Sequence, residues 1–311
     1  MNFLSAKRLL SLIILSSFFI VNASSFAATQ KTVQSISIQK QLAELEVSSK
    51  GRIGVYAINT ASHTHLGYRA NERFPTGCTS KVIGVATILS KSMNDSALLS
   101  QRISYSKKDL TNWNPITEKY LSSGMTVEQL CAASISYSDN TAMNLLVKKM
   151  GGLDQMTLFA HSLSNTSFRQ DNGWPEEAFS GGQNNVNDSS TPKDMAKSLQ
   201  RLAFTDTLAK PQRDLLMSWL KATTTGDFRI RAGVPKGWVV ADKTGTGSAY
   251  GTTNDIGIIW PPKCAPIIVA IYYTNDDKKA VKREDIVASV TRILIEKLSE
   301  NDRCLKKHLV I

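Results

Sequence analysis

The sequence is short of the side chains that most catalytic and metal sites use. Its 311 residues include four histidines, at positions 63, 65, 161 and 308, and four cysteines, Cys78, Cys131, Cys264 and Cys304. His63 and His65 flank Thr64 where two strand-like runs meet, a pattern of a solvated turn. No histidine is placed to serve a Ser-His-Asp triad. The cysteines form no CxxC and no ligand spacing, so neither a metal nor another cofactor is expected. Acid–base work therefore falls to Lys, Ser or Glu. No run of Lys and Arg exceeds two residues and aromatics make up 7%, which excludes a stacking platform for nucleic acid. The net charge of +11 is spread thinly, as on a solvated surface with a preference for anionic ligands. Internal repeats are absent, and past the N-terminus no apolar run is long enough to span a bilayer.

What is present fits a globular chain: 42% apolar and 20% charged residues, with 18 Gly and 9 Pro. The first 27 residues stand apart. Lys7 and Arg8 precede an apolar stretch from Leu9 to Val21, and Ser25-Phe26-Ala27 closes it with small residues at the two decisive positions. This reads as a secretory signal peptide cut after Ala27, so an exported monomer without a membrane anchor is expected. Export permits disulfides, although four cysteines are too few for a disulfide scaffold.

Periodicity predicts a helix over Ser37–Leu45, two strands over Arg52–Ile58 and Leu66–Ala70, and a helix from Cys78 to Lys91. Further helices are predicted over Thr126–Ser136, Asn140–Met150, Pro192–Ala203 and Pro211–Leu220. Strands then return at Trp238–Thr244, Asn254–Trp260 and Ile267–Tyr273, before a last helix, Glu284–Leu298. Strands at both ends with helices between them imply an α+β fold whose antiparallel sheet is built from both chain ends. Residues 28–75 and 222–311 would form the mixed domain and 76–221 an inserted helical one. A cleft is expected where the two meet. The stretch Gln170–Thr191 has no periodicity, and a loop of that length in a compact domain is usually functional.

Three short motifs fall on elements that converge on that cleft. In Cys78-Thr79-Ser80-Lys81 a helical turn sets the Lys81 amine against the Cys78 side chain, at a helix N-terminus that favours a nascent anion. Ser138-Asp139-Asn140 stands at the entry to a helix, where hydroxyl and amide groups cap. Lys243-Thr244-Gly245-Thr246 lies on a strand, and Gly245 without a side chain would let a ligand backbone lie close along it.

Together and in this order, the three motifs resemble the SxxK, SDN and KTG set of class A β-lactamases and penicillin-binding proteins. The chain looks like a class A β-lactamase over nearly all of its length after the leader. The likeness includes Trp113–Lys119, Leu130–Ala133, Asn144 and Arg229–Pro235, and it leans to the carbapenem-hydrolysing branch through Arg231 and Thr246. The resemblance implies a β-lactam substrate and a covalent acyl-enzyme. Cys78 would be the nucleophile, with Lys81, or Glu176 through a water, taking its proton. Ser138 would relay a proton to the leaving nitrogen. Trp113, Asn140, Lys243, Thr244, Gly245, Thr246 and Arg231 would bind substrate, and the N–H groups of Cys78 and Thr246 would form the oxyanion hole.

Three departures stand out. Cys78 occupies the family's serine position, and Ser80 faces elsewhere on the helix. Gly77 and Gly247 stand where that branch carries a cysteine pair, and Val85 stands where Cys131 would find a partner, which leaves Cys131 a buried thiol. The loop that should hold the water-activating Glu reads Asp171-Asn172-Gly173-Trp174-Pro175-Glu176-Glu177, with Glu176 the favoured carboxylate and Glu177 the alternative. Two alternatives stay open beside hydrolysis of penicillins, cephalosporins and carbapenems: a penicillin-binding D-Ala-D-Ala peptidase, and a β-lactam binder whose turnover Cys78 impairs.

Overall fold

Strand β1, Gly51–Asn59, buries side chains on both faces, which requires a layer of structure on either side of it. Ile53, Val55 and Ala57 point into one apolar cluster, Tyr56 and Ile58 into another. The computed structural model, which describes residues 38–175 and 186–309, supplies both layers. Helix α1, described over residues 38–49, runs into β1, and β2, His65–Tyr68, pairs with it antiparallel. The chain returns to this sheet only near its end, with β3 (Val239–Thr246), β4 (Thr253–Trp260) and β5 (Ile267–Asn275). The strand order is β2-β1-β5-β4-β3 with every pair antiparallel, so β1 meets β5 in the register Val55↔Ile271. The fold is α+β, with a sheet drawn from both chain ends as the sequence implied.

Between β2 and β3 come α2 (Lys81–Ser92), α3 (Val127–Ser136), α4 (Asn140–Met150), α5 (Asp154–Ser162), α6 (Pro192–Phe204) and α7 (Lys210–Lys221). Their apolar faces form one core with Tyr56, Ile58, Ile268, Ala270 and Tyr272 of the sheet. The opposite sheet face is covered by Ile38 and Leu42 of α1 and by α8, Glu284–Ser299, through Val287, Val290, Leu294 and Ile295. Helix starts follow their capping chemistry. Thr191 accepts from Asp194 N at 3.2 Å ahead of Pro192, and Thr126 forms a capping box with Gln129.

Two helices escaped the periodicity. Helix α5 buries only Met156 and Ala160, too narrow a stripe to read. Helix α9, Arg303–Leu309, buries Leu305 alone and is tied to the loop after β4 by a Cys264–Cys304 disulfide. Cys131 is a buried free thiol. The helix expected to start at Cys78 instead opens with a single 3₁₀ turn, Gly77–Ser80, and becomes α-helical at Lys81. Hydroxyls tighten that turn: Ser80 Oγ donates to Gly77 O at 2.9 Å and Thr79 Oγ1 to Thr76 O at 2.6 Å. Among the described residues no helix is long and apolar enough to cross a membrane.

Candidate active site

The Gly77–Ser80 turn, the entry to α4 and the open edge strand β3 meet around a cavity of about 630 Å³. Cys78, Ser138, Asn140, Thr244, Thr246 and Trp113 all line it. Two glycines make the junction possible. Gly77 has φ +52°, a conformation that other residues adopt at a cost, and it lies against the backbone of Gly245 and Thr246. A Cβ on Gly245 would stand 2.6 Å from Thr76 O. The bare position in β3 therefore accommodates the protein's own Gly77–Ser80 turn, a contact that the sequence reading did not anticipate.

The Ser138-Asp139-Asn140 turn divides its labour. The Asp139 carboxylate caps α4 through Ala142 N at 2.8 Å and also accepts from Ile116 N and Thr117 N at 3.0 and 2.9 Å. It pins the Trp113–Thr117 segment to the turn and does not face the cavity chemistry. Ser138 sits at φ +57°, strained for a residue with a side chain, and this turns its carbonyl towards Lys81. Lys81 Nζ donates to that carbonyl at 2.7 Å and to Asn140 Oδ1 at 2.6 Å. Asn140 Oδ1 is 4.0 Å from Cys78 Sγ, and its Nδ2 donates to Asn112 Oδ1 at 3.0 Å. From the other side, Lys243 Nζ donates to Ser138 Oγ and to Thr244 O, both at 2.9 Å. Trp113 stands at the rim, half exposed, with Nε1 on Tyr137 O at 3.0 Å.

Two fully buried lysines thus flank one thiol. Burial opposes ionisation of Cys78, but the charges of Lys81 and Lys243, with hydrogen bonds from Ser138 and Lys81, outweigh it and hold the thiol below its ordinary range. Burial pushes Lys243 down to about 7, a shift opposed by Cys78 and reinforced by Lys81. Cys131 has no such cation, and burial pushes its thiol up. The two lysines therefore favour the thiolate of Cys78 over that of an ordinary cysteine.

The structure corrects one expected binding residue. Arg231 turns away from the cavity and ion-pairs with the buried Asp242, Nε to Oδ1 at 2.7 Å. Its neighbour Arg229, 3% exposed, takes the site: it donates to Thr246 Oγ1 at 2.6 Å, Gly245 O at 2.9 Å and Asn254 O at 2.7 Å. Two arginines on one helical turn, Ile230–Gly233 and the residue before it, give no sequence signal of which points inward. Thr225, whose Oγ1 shares a 2.6 Å hydrogen bond with Thr244 Oγ1, and Asn112 are further cavity residues that the motifs did not reveal.

Glu176 lies outside the described residues. The loop's base does not: the Asp188 carboxylate gathers Asp171 N at 2.7 Å, Asn172 N at 3.0 Å and Gln170 Nε2 at 3.1 Å. Among the described loop residues Trp174 and Pro175 reach the cavity wall, and Trp174, 3% exposed, has its ring centroid 5.6 Å from Lys81 Nζ. The described carboxylates on the cavity are Asp227 and Glu284, and Glu284 is paired with Arg229 at 3.3 Å and Lys282 at 3.2 Å. Among the described residues the one group with metal-ligand proximity is Cys264, Cys304 and His308, and its two sulfurs are spent on each other.

Comparison with known proteins agrees over most of the chain. The model of the β-lactamase enzyme family matches residues 37–298. The β-lactamase Toho-1 of Escherichia coli is 46% identical over 271 residues, covering 86% of this chain and 92% of its own. A β-lactamase of Citrobacter koseri is 46% identical over 283 residues, 90% of this chain and 94% of its own. The crystal structure of a β-lactamase from Desulfarculus baarsii superposes with a TM-score of 0.82 at 41% identity, covering 85% of this chain and 98% of that one.

Proposed function

The chain belongs to the β-lactamase enzyme family and hydrolyses β-lactams, and we propose that it does so through a thioester on Cys78. The observation that carries this is the thiol between the Lys81 and Lys243 cations, in a cavity whose other wall is Ser138 and β3. The thiolate attacks the lactam carbonyl and the C–S bond forms as the C–N bond breaks. The nitrogen takes the Ser138 hydroxyl proton, and Lys243, donating to that hydroxyl oxygen, replaces it. Backbone N–H groups of Cys78 and Thr246 stabilise the oxyanion. Lys243, Thr244, Thr246 and Arg229 hold the substrate carboxylate, and the second N–H of Asn140 Nδ2 is left for the acylamide side chain.

Penicillins and cephalosporins are the proposed substrates, with carbapenems resting on the Arg229–Thr246 pair. The protein is proposed to be exported as a monomer after cleavage behind Ala27, so N-terminal sequencing of exported material should begin at Ala28. Mass mapping after incubation with benzylpenicillin tests the mechanism. The adduct should sit on the peptide containing Cys78 and vanish in Cys78→Ala. An adduct on Ser138 or Ser80 sinks the assignment.

A further inference from the structure

We propose that Trp174 denies the acyl carbon an activated water, so that the thioester outlives ring opening and each chain holds one β-lactam covalently. The inference rests on Cys78 as acyl acceptor and concerns only the second half-reaction. In that step a water oxygen bonds to the acyl carbon and the C–S bond breaks. The sulfur leaves as the thiolate that the two lysines stabilise, and the proton lost by water needs an acceptor beside the carbon.

Among the described residues, those in hydrogen-bond contact with Cys78 and its two lysines are already engaged, and the cavity carboxylate Asp227 is exposed. Lys81 is already a donor, to Ser138 O and Asn140 Oδ1, and Asn140 Oδ1 is engaged by it. Ser138 Oγ accepts from Lys243. Glu284 is held by Arg229 and Lys282. Trp174 and Pro175 bring the described part of the loop to the wall, and the indole Nε1–H meets no acceptor among the described residues. The ring lies over Lys81 within the apolar core, with Cys78 packed against the same core. Its backbone is clamped from both directions by one side chain: Trp174 N donates to Asn144 Oδ1 at 2.9 Å, and Asn144 Nδ2 donates to Trp174 O. The acylating half of the site is therefore assembled, and among the described residues the loop brings tryptophan, not a carboxylate, to Lys81.

Equimolar benzylpenicillin added to the purified full chain at pH 7, followed by intact mass, tests this. Ring opening loses no atoms, so the expected species is one adduct of the whole penicillin mass, with the lactam consumed in a burst of one equivalent and free penicilloate appearing only slowly afterwards. Without a general base, decay depends on hydroxide, and its rate should rise close to tenfold per pH unit from 7 to 9. Trp174→Glu should shorten the adduct's life by about 100-fold or more and Trp174→Gln far less, since general-base catalysis contributes about 10²–10⁴-fold. Should both variants fail to fold, the parent's pH profile decides. Rapid product formation without an accumulating adduct, a decay rate flat across pH 7–9, or a longer-lived adduct in Glu176→Gln overturns the inference and leaves Cys78 as acyl acceptor standing. Neither adduct nor product overturns both.

Discussion

Arg229 donates through Nη2 to Thr246 Oγ1 at 2.6 Å, from a position almost wholly screened from water. A guanidinium held there also braces β3 and β4, through Gly245 O and Asn254 O. It projects its charge to the edge of β3, where the proposed substrate carboxylate would lie. Arg231, two residues on, spends its charge on Asp242 below the sheet. The pair separates recognition from support, and substitution at each should read out differently.

Arg229→Ala should raise KM for penicillins by roughly 10- to 100-fold, the loss of one charged hydrogen bond of about 1.5–3 kcal/mol. Arg231→Ala should leave KM within a few-fold of the parent and lower the urea midpoint. It strands a buried carboxylate, a loss of roughly 3 kcal/mol. Steady-state kinetics and denaturation of both variants check this, and the reverse pattern would restore Arg231 to the site.

Thiol chemistry should be confined to one residue. Iodoacetamide at pH 7 is expected to alkylate Cys78 and to spare Cys131, whose thiol is buried away from any cation, and the disulfide-bonded Cys264 and Cys304. Peptide mapping reads the result. Equal labelling of Cys131 would show that the lysines do not set the reactivity.

Gly245→Ala separates two roles for the bare strand position. A Cβ 2.6 Å from Thr76 O and 3.0 Å from Thr79 Cγ2 collides with the turn that carries Cys78. The variant should melt lower by the equivalent of about 1–3 kcal/mol and acylate slowly even at saturating substrate. A normal melting temperature with only KM raised would mean that the space serves the ligand.

Most of the frame was legible because its signals are local. Continuous apolar runs in β1 and β5, caps such as Thr126 and Thr191, and the apolar stripe of α8 each act within a few residues. Three motifs brought together Cys78, Lys81, Ser138, Asn140 and Lys243 across a separation that only tertiary folding closes. What escaped was orientation. Whether Arg229 or Arg231 faces the cavity depends on which one Asp242 captures, a buried partner eleven residues beyond Arg231 on β3. The place of Trp174 depends on Asn144, thirty residues earlier on α4. Helix α5 and the 3₁₀ turn at Cys78 are set by packing and hydroxyl bonds that periodicity does not register.

The buried Lys243 should give the proposed acylation a pH dependence. Its ammonium releases its proton near pH 7 in the folded chain, against the usual 10.5. The unfolded chain therefore binds more protons between those values, and this residue's contribution to stability rises with pH across that window. Activity should run the other way. Acylation falls at low pH as Cys78 protonates, and it falls again above about pH 7 as Lys243 loses the charge that binds substrate and recharges Ser138. A bell-shaped rate of adduct formation is expected, with its alkaline limb near pH 7. In Lys243→Arg the guanidinium stays charged across this range, so the alkaline limb should disappear below pH 9 even if the rate is lower throughout. Stopped-flow acylation across pH 5–9 measures both. A parent rate that climbs steadily to pH 9 would show that Lys243 acts without its proton, and that Ser138 is recharged by another donor.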